Sequence, residues 1–117
     1  MSGHCKREAA TRADATAWRD RVIDDARSGE GLAAARAREI SVDLIIAVAE
    51  IIAAYMAAGE TVVSRTDLRL AHRRSGFLIG KRQEQRLMKY LVDRGHVDRT
   101  NDRDLIRPVR GDEMPLG

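Results

Sequence analysis

The chain is poor in the residues that would place it in several large classes of protein. Its single cysteine, Cys5, cannot form a disulfide within the chain, and a reducing compartment is the easier expectation. The only prolines are Pro108 and Pro115, so residues 7–107 carry no breaker of that kind and are open to helices and short strands. Four aromatics, Trp18, Tyr55, Phe77 and Tyr90, are too few to supply exposed stacking platforms once a core has been built. That argues against a binder of single-stranded nucleic acid. No apolar run approaches the ~20 residues of a membrane span. The most apolar stretch, Val42–Ala58, is interrupted by Asp43 and Glu50 and reads as a buried helix. The first ten residues contain no apolar signal-peptide region, so a cytoplasmic location with no membrane contact is expected.

Recognisable catalytic chemistry is also missing. His4, His72 and His96 are isolated in sequence, and the adjacent pair His4-Cys5 supplies only two ligands at a terminus where a closed metal site needs four. Asp24-Asp25 and Asp102/Asp104 are acidic pairs with no sequence sign of a cleft. No nucleophile elbow, P-loop or dinucleotide fingerprint occurs. The expectation is therefore a protein that is not an enzyme and that uses no cofactor and no metal.

What the chain does have is a local excess of positive charge. The net charge of +3 divides unevenly: residues 1–59 carry −1 and residues 60–117 carry +4. Within Ser64–Lys89, eight Lys/Arg stand against two Asp/Glu. Such an excess is the footprint of a phosphate-binding surface, although basic residues also serve simply to solvate helices. Arginine outnumbers lysine 18 to 3, which points to a GC-rich coding source rather than to a function.

Local signals give an element order. Arg7–Ser28 is a helix candidate with a weak apolar stripe of Ala13, Ala17, Trp18, Val22 and Ala26. Ser28-Gly-Glu-Gly31 reads as a break, and Leu32–Arg38 as a short helix. Trp18 should anchor this segment to the core or to a second subunit. Ser41 can N-cap a helix running to Ala58, with Gly59 as its C′ residue. The helix is apolar on more than one face, which makes it the centre of the domain or part of a dimer interface. Thr61–Val63 reads as a short strand, and Ser64-Arg-Thr-Asp67 as the capped start of a helix that ends near Arg73. Ser75-Gly76 is a turn signal. A long helix is expected from about Leu78 to Arg94, with Gly95 closing it. His96–Thr100, a turn at Asn101-Asp102, and Asp104–Val109 form a β-hairpin. The fold class is thus mainly α with a small β-hairpin. The order of elements is that of a winged helix-turn-helix, over residues 41–110, with a helical extension at residues 1–40 and a tail at 111–117.

The segment Arg86-Leu-Met-Lys-Tyr-Leu-Val-Asp-Arg-Gly-His-Val97 resembles the end of the recognition helix in winged-helix regulators, most closely those of the MarR type. Asp102-Arg103 resembles the Asp-Arg found at wing tips in that family. The resemblance covers about Ser41–Val109 and implies duplex DNA binding by a homodimer. Only eight residues follow Val109. No counterpart of the family's C-terminal dimerisation helix is therefore expected, and a dimer would use the N-terminal helices or Val42–Ala58.

In a helix-turn-helix the second helix meets base edges with its N-terminal residues. Lys81, Arg82 and Gln85 are the candidates for base contact, since Lys and Arg pair with guanine and Gln with adenine. Arg86 and Lys89 lie deeper and are assigned to phosphates. Arg82, Gln85, Arg86 and Lys89 share a face by their spacing. Arg65, Arg69, Arg73 and Arg74 would straddle the DNA backbone, fixing register without reading sequence. Arg99 and Arg103 flank the wing turn. Gly80, expected in the first helical turn, would allow a backbone to approach a phosphate. The leading expectation is a sequence-specific regulator, a repressor, associated with the nucleoid. Two other readings remain open: a winged-helix module that binds protein through the N-terminal helices and Val42–Ala58, or a DNA-binding accessory in replication, excision or partition of a mobile element.

Overall fold

The computed structural model describes residues 2–74, 76 and 79–110, with residues 2–10 described by their backbone alone. The side chains of His4 and Cys5, Ser75 of the expected turn, Phe77, the expected helix start at Leu78 and the tail at 111–117 lie outside the described residues. Among the described residues the chain forms five helices and a small three-stranded antiparallel sheet. The order is α1 (Ser2–Arg27), α2 (Gly29–Ala37), α3 (Val42–Ala57), β1 (Val63–Ser64), α4 (Arg65–Arg74), α5 (Lys81–Asp93), β2 (Val97–Arg99) and β3 (Leu105–Pro108).

The break expected at Ser28–Gly31 narrows to Ser28 alone. Its Oγ accepts the Gly31 amide at 3.1 Å, capping α2, and donates to the Asp25 carbonyl at 2.6 Å. Gly31 is a point of close approach rather than a stop. A Cβ there would sit 1.7 Å from the Asp25 carbonyl oxygen, so only glycine lets the start of α2 cross the end of α1. The stripe of α1 also differs from the expected one. Ala15, Trp18, Val22 and Ala26 are buried, at spacings of three and four, while Ala13 and Ala17 are exposed.

Ser41 caps α3 by accepting the Leu44 amide at 3.2 Å, and Gly59 leaves the helix at φ 97°. The buried residues of α3 (Leu44, Ile45, Val48, Ala49, Ile52, Ala53 and Met56) share one core with the α1 stripe, Leu87 and Leu91 of α5, Val97 and Ile106. Ala15, Trp18, Val22, Ala26, Ala35 and Ile40, all before residue 41, are therefore part of this core. The apolar surface of α3, which the sequence offered to a dimer or a partner, is covered largely from within the chain by α1. No single helix among the described residues is long and apolar enough to cross a membrane. Helices α2 and α3 reach that composition only together, across a 104° bend.

The first strand starts two residues later and ends one residue later than the sequence implied, and it pairs with the hairpin. Val63 pairs with Ile106 and Ser64 with Leu105, while β3 pairs on its other edge with β2, Val97 opposite Pro108. Burial of Val63 and Ile106 side by side in the core sets this register. Helix α5 starts three residues after the expected Leu78. Gly80 is its N-cap, in extended backbone, and not a residue of the first turn. Gly95 closes α5 at φ 76°.

A half-buried polar knot joins α1 to the end of α5. Asp25 accepts Nε of Arg94 at 2.9 Å and Nε2 of His96 at 2.9 Å, with a second bond from Arg94 Nη2. The His96 carbonyl accepts the Trp18 indole N–H at 3.0 Å and the Val109 amide at 2.9 Å. The hydrogen bond from Arg94 holds the Asp25 carboxyl below its ordinary range. Burial lowers the pKa of His96 below 6.5, with Asp25 opposing, and burial likewise lowers that of His72, with Glu84 opposing. Below pH 6.5 the unfolded chain takes up these protons before the folded chain does, so stability falls as the pH drops from there toward the folded values. The contribution of Asp25 is present above 3.8 and is lost at still lower pH, in the same direction. The midpoint of urea unfolding is expected to fall between about pH 7.5 and about pH 5, the window in which histidines titrate. An unchanged midpoint would show that these histidines are not held neutral.

Candidate nucleic-acid interface

Helix α5 has two opposed faces. Glu84, Leu87, Met88, Tyr90 and Leu91 are buried, whereas Lys81, Arg82, Gln85, Arg86 and Lys89 are exposed. The set assigned from spacing to one outer face is therefore presented together. Its members have different neighbours. Arg86 pairs with Glu39 at 3.3 Å, at the corner between α2 and α3, where Glu39 itself adopts φ 57°. That partner reduces the charge Arg86 offers to a phosphate. Gln85 lines a groove of about 400 Å³ between α5 and the wing turn, with Met88, Arg99, Arg103 and Leu105. Lys81, Gln85 and Arg103 line its continuation toward α4, beside Arg65 and Arg69.

Arg65 and Arg69 each have an acidic partner that the sequence did not suggest. Arg65 Nε donates to Glu84 Oε1 at 2.9 Å, and Arg69 Nε lies 3.1 Å from Glu84 Oε2. Both guanidiniums bend toward a buried carboxylate, because an uncompensated charge there would carry a heavy desolvation cost. Arg73 and Arg74, at the end of α4, are exposed, as are Arg99 and Arg103 at the wing.

The wing turn is braced. Thr100 Oγ1 donates to the Asp102 carbonyl at 2.9 Å and accepts the Asp102 amide at 3.1 Å, while Asp102 Oδ1 accepts the Asp104 amide at 2.9 Å. Asp104 then reaches α4. Its carboxylate accepts the Ser64 hydroxyl at 2.6 Å, the Thr66 hydroxyl at 2.8 Å and the Thr66 amide at 3.2 Å. The hydrogen bonds from Ser64 and Thr66 hold the Asp104 carboxyl below its usual range. Ser64 Oγ, the cap expected from sequence, accepts the Asp67 amide at 3.3 Å, so α4 is capped by two residues of which one comes from the wing.

Sequence reasoning missed Glu84 and Asp104. For Glu84 a signal existed: it stands three and seven residues before Leu87 and Leu91, on the inward stripe, where an acid must find a cation. For Asp104 no local signal existed, since its partners are about forty residues away. Among the described residues no group of three or more His, Cys, Asp or Glu is placed to hold a metal ion. Comparison of the chain with protein-family models, curated proteins and solved structures gives no match.

Proposed function

We propose that the protein binds double-stranded DNA as a winged helix-turn-helix, with α4–α5 as the helix pair and β2–β3 as the wing. The observation that carries this reading is the arrangement of charge. Lys81, Arg82, Gln85 and Lys89 line the outer face of α5, and Arg99 and Arg103 stand exposed across the groove. The neighbouring acids Glu84 and Asp104 are engaged by Arg65, Arg69, Ser64 and Thr66. A convex cationic helix beside a braced cationic turn fits a major groove flanked by phosphates.

In this reading the first turns of α5 lie in the major groove. Lys81, Arg82 and Gln85 meet base edges, Lys89 meets a phosphate, and Arg99 and Arg103 meet the adjoining backbone or minor groove. Arg73 and Arg74 extend the phosphate contact along α4. A homodimer on a palindromic site would hold its two α5 helices about 34 Å apart, one helical turn of DNA. A nucleoid-associated transcriptional repressor is the role that suits such a dimer.

The test is equilibrium binding of the full chain to duplex DNA of random sequence at about 50 mM and about 200 mM salt, the range over which several phosphate contacts produce a large loss. Steep loss of affinity with salt is expected. No binding at the lower salt would overturn the reading and turn attention to protein partners.

A further inference from the structure

We infer that Glu84 is a positioning residue that withholds the charge of Arg65 and Arg69 from indiscriminate phosphate binding, and so sets how well the protein tells one duplex from another. The inference rests on the DNA-binding reading and deepens it.

Glu84 is 6% exposed and lies on the inner stripe of α5. Its Oε1 accepts Arg65 Nε at 2.9 Å, and its Oε2 forms an ion pair with Arg69, whose Nε lies 3.1 Å away without hydrogen-bond geometry. Two cations and one anion leave a single net charge where the sequence promised two. Arg65 is fixed further from the wing: its amide donates to the Asp104 carbonyl at 2.6 Å, and Nη1 reaches the Arg103 carbonyl at 3.5 Å. One carboxylate thus ties α4, α5 and, through Arg65, the wing turn. These are the three parts that must meet DNA at a fixed spacing.

Removal of that charge has two consequences. Arg65 and Arg69 become long cations without their common partner, available to any phosphate within reach. Phosphate contacts add affinity without sequence information, so binding to every duplex strengthens. The base-facing residues Lys81, Arg82 and Gln85 gain nothing, because the helix that carries them has lost its tie to α4. Discrimination therefore falls while random affinity rises. A purely structural role for Glu84 predicts something different: lower stability, with both duplexes affected alike.

The experiment uses the full chain and its Glu84→Gln variant, which keeps the volume and removes the charge. Binding is measured against a random duplex and against a duplex enriched from a random pool by the wild type, each over a range of salt, with thermal melting as the check on folding. For Glu84→Gln the random-duplex salt slope is expected to steepen by about 0.9 for each guanidinium that gains a phosphate. Affinity for the random duplex at low salt should rise, and the ratio of enriched to random affinity should fall. Adding Arg69→Gln to Glu84→Gln should bring the slope back toward the wild type. A folded Glu84→Gln variant with wild-type slope and ratio, or with equal weakening on both duplexes, overturns the inference. If Glu84→Gln does not fold, Arg69→Gln and Lys89→Gln are compared in the wild-type background. Lys89→Gln should cost about 0.9 of slope and Arg69→Gln clearly less. Equal losses overturn the inference. A wild type that binds neither duplex fails the DNA-binding reading itself and takes this inference with it.

Discussion

Trp18→Ala is expected to destabilise the fold by about 3–5 kcal/mol. The side chain is 1% exposed and packs in the core shared by α1, α3 and α5. Large-to-small changes of this kind cost about 3–5 kcal/mol through lost transfer energy and the cavity left behind. The indole N–H to the His96 carbonyl at 3.0 Å is lost as well, though that carbonyl keeps the Val109 amide. Against a total of roughly 5–15 kcal/mol for an ordinary domain, the loss is a large fraction of the margin. Residues 41–117 alone should be destabilised for the same reason, because Ala15, Trp18, Val22 and Ala26 cover α3. Urea unfolding followed by circular dichroism checks both. A cooperative transition in residues 41–117 close to that of the full chain would show that α1 and α2 are an appendage.

This dependence on α1 is where the sequence was least legible. Caps were readable because their chemistry is local: Ser41, Gly59, Ser64 and Gly95 each act on residues within one turn. The inner and outer faces of α5 were readable because leucines four apart set the phase. Helix α1 gave the phase only in part, at Trp18, Val22 and Ala26. Alanine carries little hydrophobic signal, so Ala13 and Ala17 looked as apolar as Ala15 and Ala26, and only the fold distinguishes them. Gly31 looked like a breaker because a close helix crossing and a turn ask for the same residue. The acids that organise the candidate interface have partners far along the chain: Glu84 with Arg65 nineteen residues away, Asp104 with Ser64 forty away, and Asp25 with His96 seventy-one away. Pattern reading marks such residues as polar and has no means to name the partner. For that reason Arg65 and Arg69 looked like outward cations, and Arg86 like an unpaired one.

Joint replacement of Arg82 and Lys89 by glutamate is expected to reduce duplex affinity at low salt by roughly 100-fold or more, since two phosphate-attracting charges become two repelling ones. Both residues are exposed on the outer face of α5, so the fold should change little, within about 0.5 kcal/mol for each. The pair separates the DNA reading from a general loss of positive charge. Arg86→Glu, whose arginine already pairs with Glu39 at 3.3 Å, should weaken binding less than Arg82→Glu, although the formal charge change is the same. Fluorescence anisotropy on a labelled random duplex reads all three variants. Equal losses from Arg82→Glu and Arg86→Glu would mean that affinity follows net charge and not the geometry of α5.

The central claim is that the outer face of α5 and the wing turn form the surface that meets DNA. The most direct test is a titration of isotopically labelled full-length protein with a short duplex, followed amide by amide. The largest shifts are expected at Lys81, Arg82, Gln85 and Lys89 and at the wing turn from Arg99 to Arg103, with α1 and α2 almost unmoved. Shifts concentrated in α1–α3, or none at a duplex concentration that saturates a weak non-specific binder, would contradict it.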